Sequence, residues 1–126
     1  MGNPIDLESA AEPAWQWPES GPPKDPSTSN VYWWEDSLSE DGGDGKGTAM
    51  IRGLASGYRL ECEGWIMVKS DRGRGRLLVE GYLGLTDGVI EDGALQIVGG
   101  TGSFQGHAGK TVTVTVVNPK RYSIPD

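Results

Sequence analysis

In 126 residues the sequence has one cysteine, Cys62, and one histidine, His107. A single cysteine excludes an intramolecular disulfide. The two residues together cannot supply the ligands of a Cys/His zinc site or an iron–sulfur cluster. Positive charge is scarce too: 11 Lys and Arg stand against 18 Asp and Glu, a net charge of -7. Binding to nucleic acid needs clustered positive charge, so that partner is not expected. No stretch approaches the ~20 consecutive apolar residues of a membrane-spanning helix. Nor does a basic segment followed by an apolar one open the chain, so a soluble, cytoplasmic setting is expected. Phenylalanine occurs once, whereas there are 20 glycines, five tryptophans and four tyrosines. Glycine at more than twice its usual ~7%, beside aromatic and β-branched runs, favours strands and tight turns over helices.

Residues 1–30 differ from the rest. They hold six of the eight prolines and five acids (Asp6, Glu8, Glu12, Glu19, Asp25) against one base, Lys24. Such a composition supports neither a packed sheet nor a long helix, although Asp6 to Ala11 has room for a helical turn before Pro13. By composition it is a solvated tail. Its two indoles, Trp15 and Trp17, argue instead for an arm folded over a cleft as a lid.

From Val31 the pattern changes to short strands at even spacing, read at 31–39, 47–55, 58–69, 75–86, 94–99, 110–118 and 121–124. Gly-rich turns at 40–45, Ser56-Gly57, Asp71-Arg72-Gly73 and Asp87-Gly88 connect them. This is the signature of a single all-β sandwich or closed barrel over residues 31–126, preceded by the arm.

Period-two alternation sorts the faces. Tyr58, Leu60, Cys62, Gly64, Ile66 and Val68 share one side of their strand, as do Leu77, Val79, Gly81, Leu83 and Leu85 of the next. The run 111–116 has a threonine face and a valine face. The strand from Val31 is ambiguous, because each of its faces carries an indole and a carboxylate. If the bulkier side of 47–55 points inward, Arg52 goes with it, and a buried Arg needs a partner. Glu35 on the adjacent strand is the nearest candidate. An internal Glu35–Arg52 pair suits a cavity with a polar ligand better than a solid core.

Other chemical motifs fail on their context. Gly109-Lys110-Thr111 ends like a phosphate-binding loop, but the required first glycine falls on Phe104 and no helix follows. No Gly-x-Ser-x-Gly elbow occurs. His107 is a lone loop histidine, Cys62 reads as packing, and Asp41 to Asp44 lacks the spacing of a calcium loop.

The block Gly99-Gly100-Thr101-Gly102-Ser103-Phe104-Gln105-Gly106, then Gly109, a strand and Asn118-Pro119, resembles the C-terminal signature of the allene oxide cyclase and dirigent barrels. Val31-Tyr32, the acidic Gly hairpin with Gly47-Thr48-Ala49, and Leu77-Leu78-Val79-Glu80-Gly81 are similar to other strands of that family. The resemblance covers residues 31–124 and implies an eight-stranded antiparallel barrel with an apolar cavity open at one end. It implies that Trp33, Glu35, Thr48, Met50, Arg52, Leu60, Cys62, Ile66, Val79, Leu83, Thr111, Thr113 and Thr115 face that cavity, leaving the valine face outside as an oligomer contact. The plant cyclase has other residues at the positions of Trp33, Glu35, Arg52 and Leu83, so its catalytic set is not carried over.

In size and in its arm the chain is more similar to small bacterial barrels that close spirotetronate and spirotetramate polyketides by [4+2] cycloaddition. The activity implied is a cofactor-independent Diels–Alderase acting on a hydrophobic polyene. Arg52, held by Glu35, or Thr113 would polarise a carbonyl, and Trp15 and Trp17 would seal the mouth. A homodimer or homotrimer is expected. The alternatives are a non-catalytic binder of a hydrophobic metabolite, and a dirigent-like or epoxide-cyclising isomerase that uses the Glu35 carboxylate.

Overall fold

The computed structural model describes residues 4–9, 30–86, 89–116 and 120–126, apart from the side chains of Asn30, Tyr32, Trp33 and Val89. Trp15 and Trp17, and with them the lid, lie outside the described residues. Nine strands follow in chain order: β1 (Ile5–Ser9), β2 (Asn30–Glu40), β3 (Lys46–Ser56), β4 (Arg59–Ser70), β5 (Gly73–Thr86), β6 (Val89–Ile90), β7 (Gly93–Gly100), β8 (Thr111–Thr115) and β9 (Arg121–Ile124). A single 3₁₀ turn covers Gly102–Phe104. Among the described residues no helix is long and apolar enough to cross a membrane.

All pairings are antiparallel, and the sheet closes on itself in the order β1-β2-β3-β4-β5-β7-β8-β9 and back to β1. The two-residue β6 hangs from the end of β5 through Leu85 and Ile90. The fold is thus an eight-stranded antiparallel barrel. Closure gives each of the eight strands a partner on both sides, with β1 covering Leu38–Glu40 of β2, and so reduces the free edge that an open sheet of this size would have to protect.

The eighth strand comes from a segment read as arm. Ile5–Ser9 is a strand, not a helical turn, and pairs with both β2 and β9. Ile5 and Leu7 point into the barrel, and Asp6 and Glu8 point out. Leu7 is fully buried. Five residues of period-two alternation are enough, because two partner strands already stand on either side.

The faces of β4 and β5 follow the alternation: Leu60, Cys62, Ile66, Val79 and Leu83 all point inward and are at most 2% exposed. In β2, β3 and β8 the expected faces are reversed. Glu35 is exposed, while its neighbours Trp34 and Asp36 are buried. Arg52 is exposed and Thr48 and Met50 are half-buried on the outside, with Ala49, Ile51, Gly53 and Ala55 inside. Desolvation explains this: a narrow eight-stranded lumen takes small aliphatic groups readily, whereas an enclosed guanidinium would lose its hydration. The same holds in β8. Val112 and Val114 are fully buried, Thr111 and Thr113 are exposed, and Thr115 is half-buried. The exposed valine stripe, and the oligomer contact expected on it, are therefore not present.

The lumen is filled by side chains, among them Trp34, Leu77, Leu95, Ile97 and Tyr122 at 0% exposure. Packing also depends on where side chains are missing. Gly75 adopts φ +151°, and a Cβ there would meet the Thr101 carbonyl oxygen at 2.1 Å. Backbone and neighbour both forbid a larger residue. Gly75→Ala is expected to lower unfolding free energy by roughly 2–4 kcal/mol in urea titration. Gly106→Ala, with nothing within 4 Å of the added carbon, is expected to change it by less than about 0.5 kcal/mol.

Candidate functional site

Among the described residues four polar or charged ones are buried: Asp36, Glu40, Ser70 and Lys120. They form two groups. In the first, the Ser70 hydroxyl donates to Glu40 Oε1 at 2.5 Å, and Arg72 lies 3.8 Å from Glu40 Oε2. Arg72 also donates to the Pro4 carbonyl at 3.2 Å, and a Cβ on Gly45 would strike the Glu40 carboxylate. This group ties the β2–β3 and β4–β5 hairpins together at one barrel end and is structural.

The second group lies inside the barrel and joins two strands. β2 contributes Trp34 and Asp36, two residues apart and so on one face. The entry point of β9 contributes Lys120 and Tyr122 with the same spacing. Trp34 Nε1 donates to the Tyr122 oxygen at 2.8 Å, and the Tyr122 hydroxyl donates to Asp36 Oδ2 at 2.6 Å. Lys120 Nζ sits 2.7 Å from the same oxygen. It also lies 5.0 Å from the Trp34 ring centre and 5.8 Å from that of Tyr122. Asp36 Oδ1, by contrast, is buried and accepts no hydrogen bond among the described residues. An orphaned carboxylate oxygen here is an acceptor available to a ligand donor.

Burial governs the titration of this set. It pulls the Lys120 ammonium down from 10.5 to about 8, against the opposing charge and hydrogen bond of Asp36. Burial, followed by the Asp36 charge, holds the Tyr122 hydroxyl well above its usual 10.0. Burial also pushes the Cys62 thiol up to about 12, which makes it an inert packing group. The arrangement thus combines a neutral phenol, its hydroxyl donating to Asp36, with an ammonium close to losing its own proton in an apolar interior. Such perturbed groups cluster at functional sites, and structural ion-pair networks shift them as well.

The expected site residues are not brought together. Arg52 faces Glu63, not Glu35, at 4.0 Å on the outer surface, where both side chains are about 70% exposed. Glu35 makes no ion pair among the described residues, so the outward register removes the carboxylate that an epoxide-cyclising isomerase would use there. The backbone of Trp33 pairs with that of Arg52. Thr48, Met50, Thr111, Thr113 and Thr115 lie on the outside, leaving Leu60, Cys62, Ile66, Val79 and Leu83 as the interior subset. His107 is half-buried, edge-on to Phe104, with Nε2 3.0 Å from the Pro125 carbonyl oxygen. It secures the last residues to the Gly-rich loop. Among the described residues no three His, Cys, Asp or Glu side chains gather as a metal ion would need.

Sequence reasoning passed over Lys120 and Tyr122. Their signal was present: Lys120, Tyr122 and Ile124 alternate, which puts a lysine on an apolar face. Comparison with protein-family models, curated proteins and solved structures finds no match to the chain.

Lys120→Met leaves the Asp36 carboxylate buried without its counter-charge and is expected to cost about 3–5 kcal/mol. Asp36→Leu/Lys120→Met is expected to regain most of that loss in urea titration. The wild-type protein is also expected to gain stability between pH 8 and 9. In that interval the unfolded lysine keeps the proton that the folded one gives up. Above pH 9 Cys62, and above pH 10 Tyr122, act in the opposite sense, because the unfolded groups ionise first. The rise between pH 8 and 9 is expected to vanish in the double variant.

Proposed function

We propose that the barrel is a cofactor-independent cyclase that closes a linear polyene by intramolecular [4+2] cycloaddition, anchored on Asp36, Lys120 and Tyr122. The observation supporting this reading is a hydrogen-bonded set of titratable groups inside an otherwise apolar barrel. The cycloaddition converts three π bonds into two σ bonds and one π bond and transfers no proton. It gains chiefly from holding diene and dienophile together, worth up to ~7–11 kcal/mol in well-oriented intramolecular cases. It gains further from a hydrogen bond to a carbonyl conjugated with the dienophile, which makes that alkene a better acceptor.

In this reading the Lys120 ammonium bonds the carbonyl, the role expected of Arg52 or Thr113, while Tyr122 holds Asp36 in place. Asp36 holds Lys120, and the Trp34 N–H fixes the phenol oxygen. Leu60, Cys62, Ile66, Val79 and Leu83 form the wall against which the polyene folds. A tetronate or tetramate head suits the cluster, because its acidic 1,3-dicarbonyl presents an enolate oxygen to an ammonium group.

The filled lumen favours a second reading, a non-catalytic binder of a small hydrophobic metabolite. Catalysis by pre-organisation wants a cavity shaped in advance, whereas a carrier can take up its cargo by local opening.

One assay separates the two. A linear tetramate or tetronate carrying diene and dienophile is incubated with the protein and followed by mass spectrometry and NMR. The cyclase reading expects a product of unchanged mass that has lost olefinic resonances and forms faster than in buffer. It also expects Asp36→Leu/Lys120→Met to lose roughly tenfold or more of that acceleration. Retained substrate with a raised melting temperature supports the carrier. If neither occurs, both readings fall.

A further inference from the structure

The outer face of β4 and β5 breaks the usual pattern of a barrel exterior. Register places Met50, Trp65 and Leu78 in one row across β3, β4 and β5, with Val98 of β7 beside it. Leu78 is 46% and Val98 45% exposed. Charge is segregated about this row. Toward one barrel end lie Glu63 and Glu80, paired across the strands, and then Glu61 opposite Tyr82. Toward the other lie Met67 opposite Arg76, and then Lys69 opposite Arg74. Glu61, Glu80, Lys69 and Arg76 make no ion pair among the described residues, while Arg52 is taken by Glu63 and Arg74 by Asp71. Like charges directly opposite each other, as Glu63 and Glu80 are, destabilise a sheet unless a cation meets them. Grooves of about 540 Å³ and 480 Å³ flank the row on its acidic and basic sides.

We infer that this face binds a second copy of the chain, with a two-fold axis lying along the Met50–Trp65–Leu78 row. Such an axis turns the partner's strands antiparallel and superimposes positions equally displaced from the row. Glu80 and Arg76 are each two residues from Leu78, so Glu80 meets the partner copy's arginine, and the reverse contact forms by symmetry. Glu61 and Lys69 are each four residues from Trp65 and meet in the same way. Tyr82 and Arg74 are each four residues from Leu78, which sets a guanidinium against a phenol ring. Arg76 already lies over the Trp65 indole at 4.7 Å, which restrains its guanidinium beside the apolar row. The acidic half of the face is thus complementary to its own basic half, with apolar side chains on the axis. A generic basic or generic acidic partner would satisfy one half and oppose the other.

The test is sedimentation velocity on the whole chain at roughly 1–100 µM, spanning the affinities of transient to stable dimers. The wild type is expected to dimerise, and to do so less in high salt. Glu80→Arg alone sets arginine against arginine, and Arg76→Glu alone sets carboxylate against carboxylate. Each is expected to weaken the dimer about tenfold or more. Glu80→Arg/Arg76→Glu restores both contacts and is expected to recover the wild-type constant. Both positions are exposed, and circular dichroism checks that each variant folds. If either does not, the Glu61→Lys, Lys69→Glu cycle reads the same symmetry. A monomer over the whole range overturns the inference, leaving the face to solvent or another protein. A dimer indifferent to the reversals, or one the double variant does not rescue, overturns it as well.

Discussion

Closure of the barrel depends on five residues. β1 stands between β2 and β9 in the sheet, with Leu7 paired to Glu40 on one side and Tyr122 on the other. Without Ile5–Ser9 both neighbours would expose unpaired edges, and the lumen would open along its length. Polar contacts on the outside reinforce this short strand: Arg121 pairs with Glu8, and Ser123 donates to Asp6. Ser9 donates its N–H to the Lys120 carbonyl. That bond carries the consequence inward. By setting the register of β9 against β2 at one remove, β1 decides that Lys120 and Tyr122 reach Trp34 and Asp36. The interior cluster is a product of closure.

What was legible in the sequence was local. Turn residues and alternation over 47–55, 58–69 and 75–86 announced paired strands, and the aliphatic faces of β4 and β5 could be assigned because one side of each is almost purely apolar. β2 could not be phased from its own residues: Trp33 and Trp34, and Glu35 and Asp36, offer an indole and a carboxylate to either face. The deciding partners, Tyr122 and Lys120, stand some eighty residues away. In β3 and β8 the simple hydrophobic rule holds, with Ile51, Val112 and Val114 inside. Family resemblance, and in β3 the greater bulk of Met50 and Leu54, had pointed the other way. β1 was hidden by the prolines and acids around it, although Ile5 and Leu7 alternate with Asp6 and Glu8 as strand residues do.

A buried ion pair is a poor way to stabilise a core, since well-packed apolar groups of similar volume usually serve as well or better. The Asp36–Lys120 pair lies beside the Trp34 and Tyr122 rings, so apolar replacements would suit that part of its surroundings. One physical role is register: a carboxylate that must meet both a phenol and an ammonium permits one alignment of β9, whereas Leu and Ile tolerate a slip. Register does not account for Asp36 Oδ1, which has no donor among the described residues. Under the proposed function this oxygen is the acceptor left for a ligand donor.

The two departures from binary patterning share a strand register and face opposite ways. Polar groups point into the lumen from β2 and β9, and a tryptophan row points out from β3 to β5. In a barrel these are separable, because period-two alternation lets each strand serve two surfaces independently. Trp65 and Leu78 can change without touching the lumen, and Asp36 can change without touching the outer row. The inner and outer surfaces are therefore built from the same strands and can be altered one at a time, which a solid helical core, with each residue packed on several neighbours, does not allow. Local rules and global fold agree over most of this chain, and the two places where they part are the two surfaces on which the proposed ligand site and the proposed self-association rest.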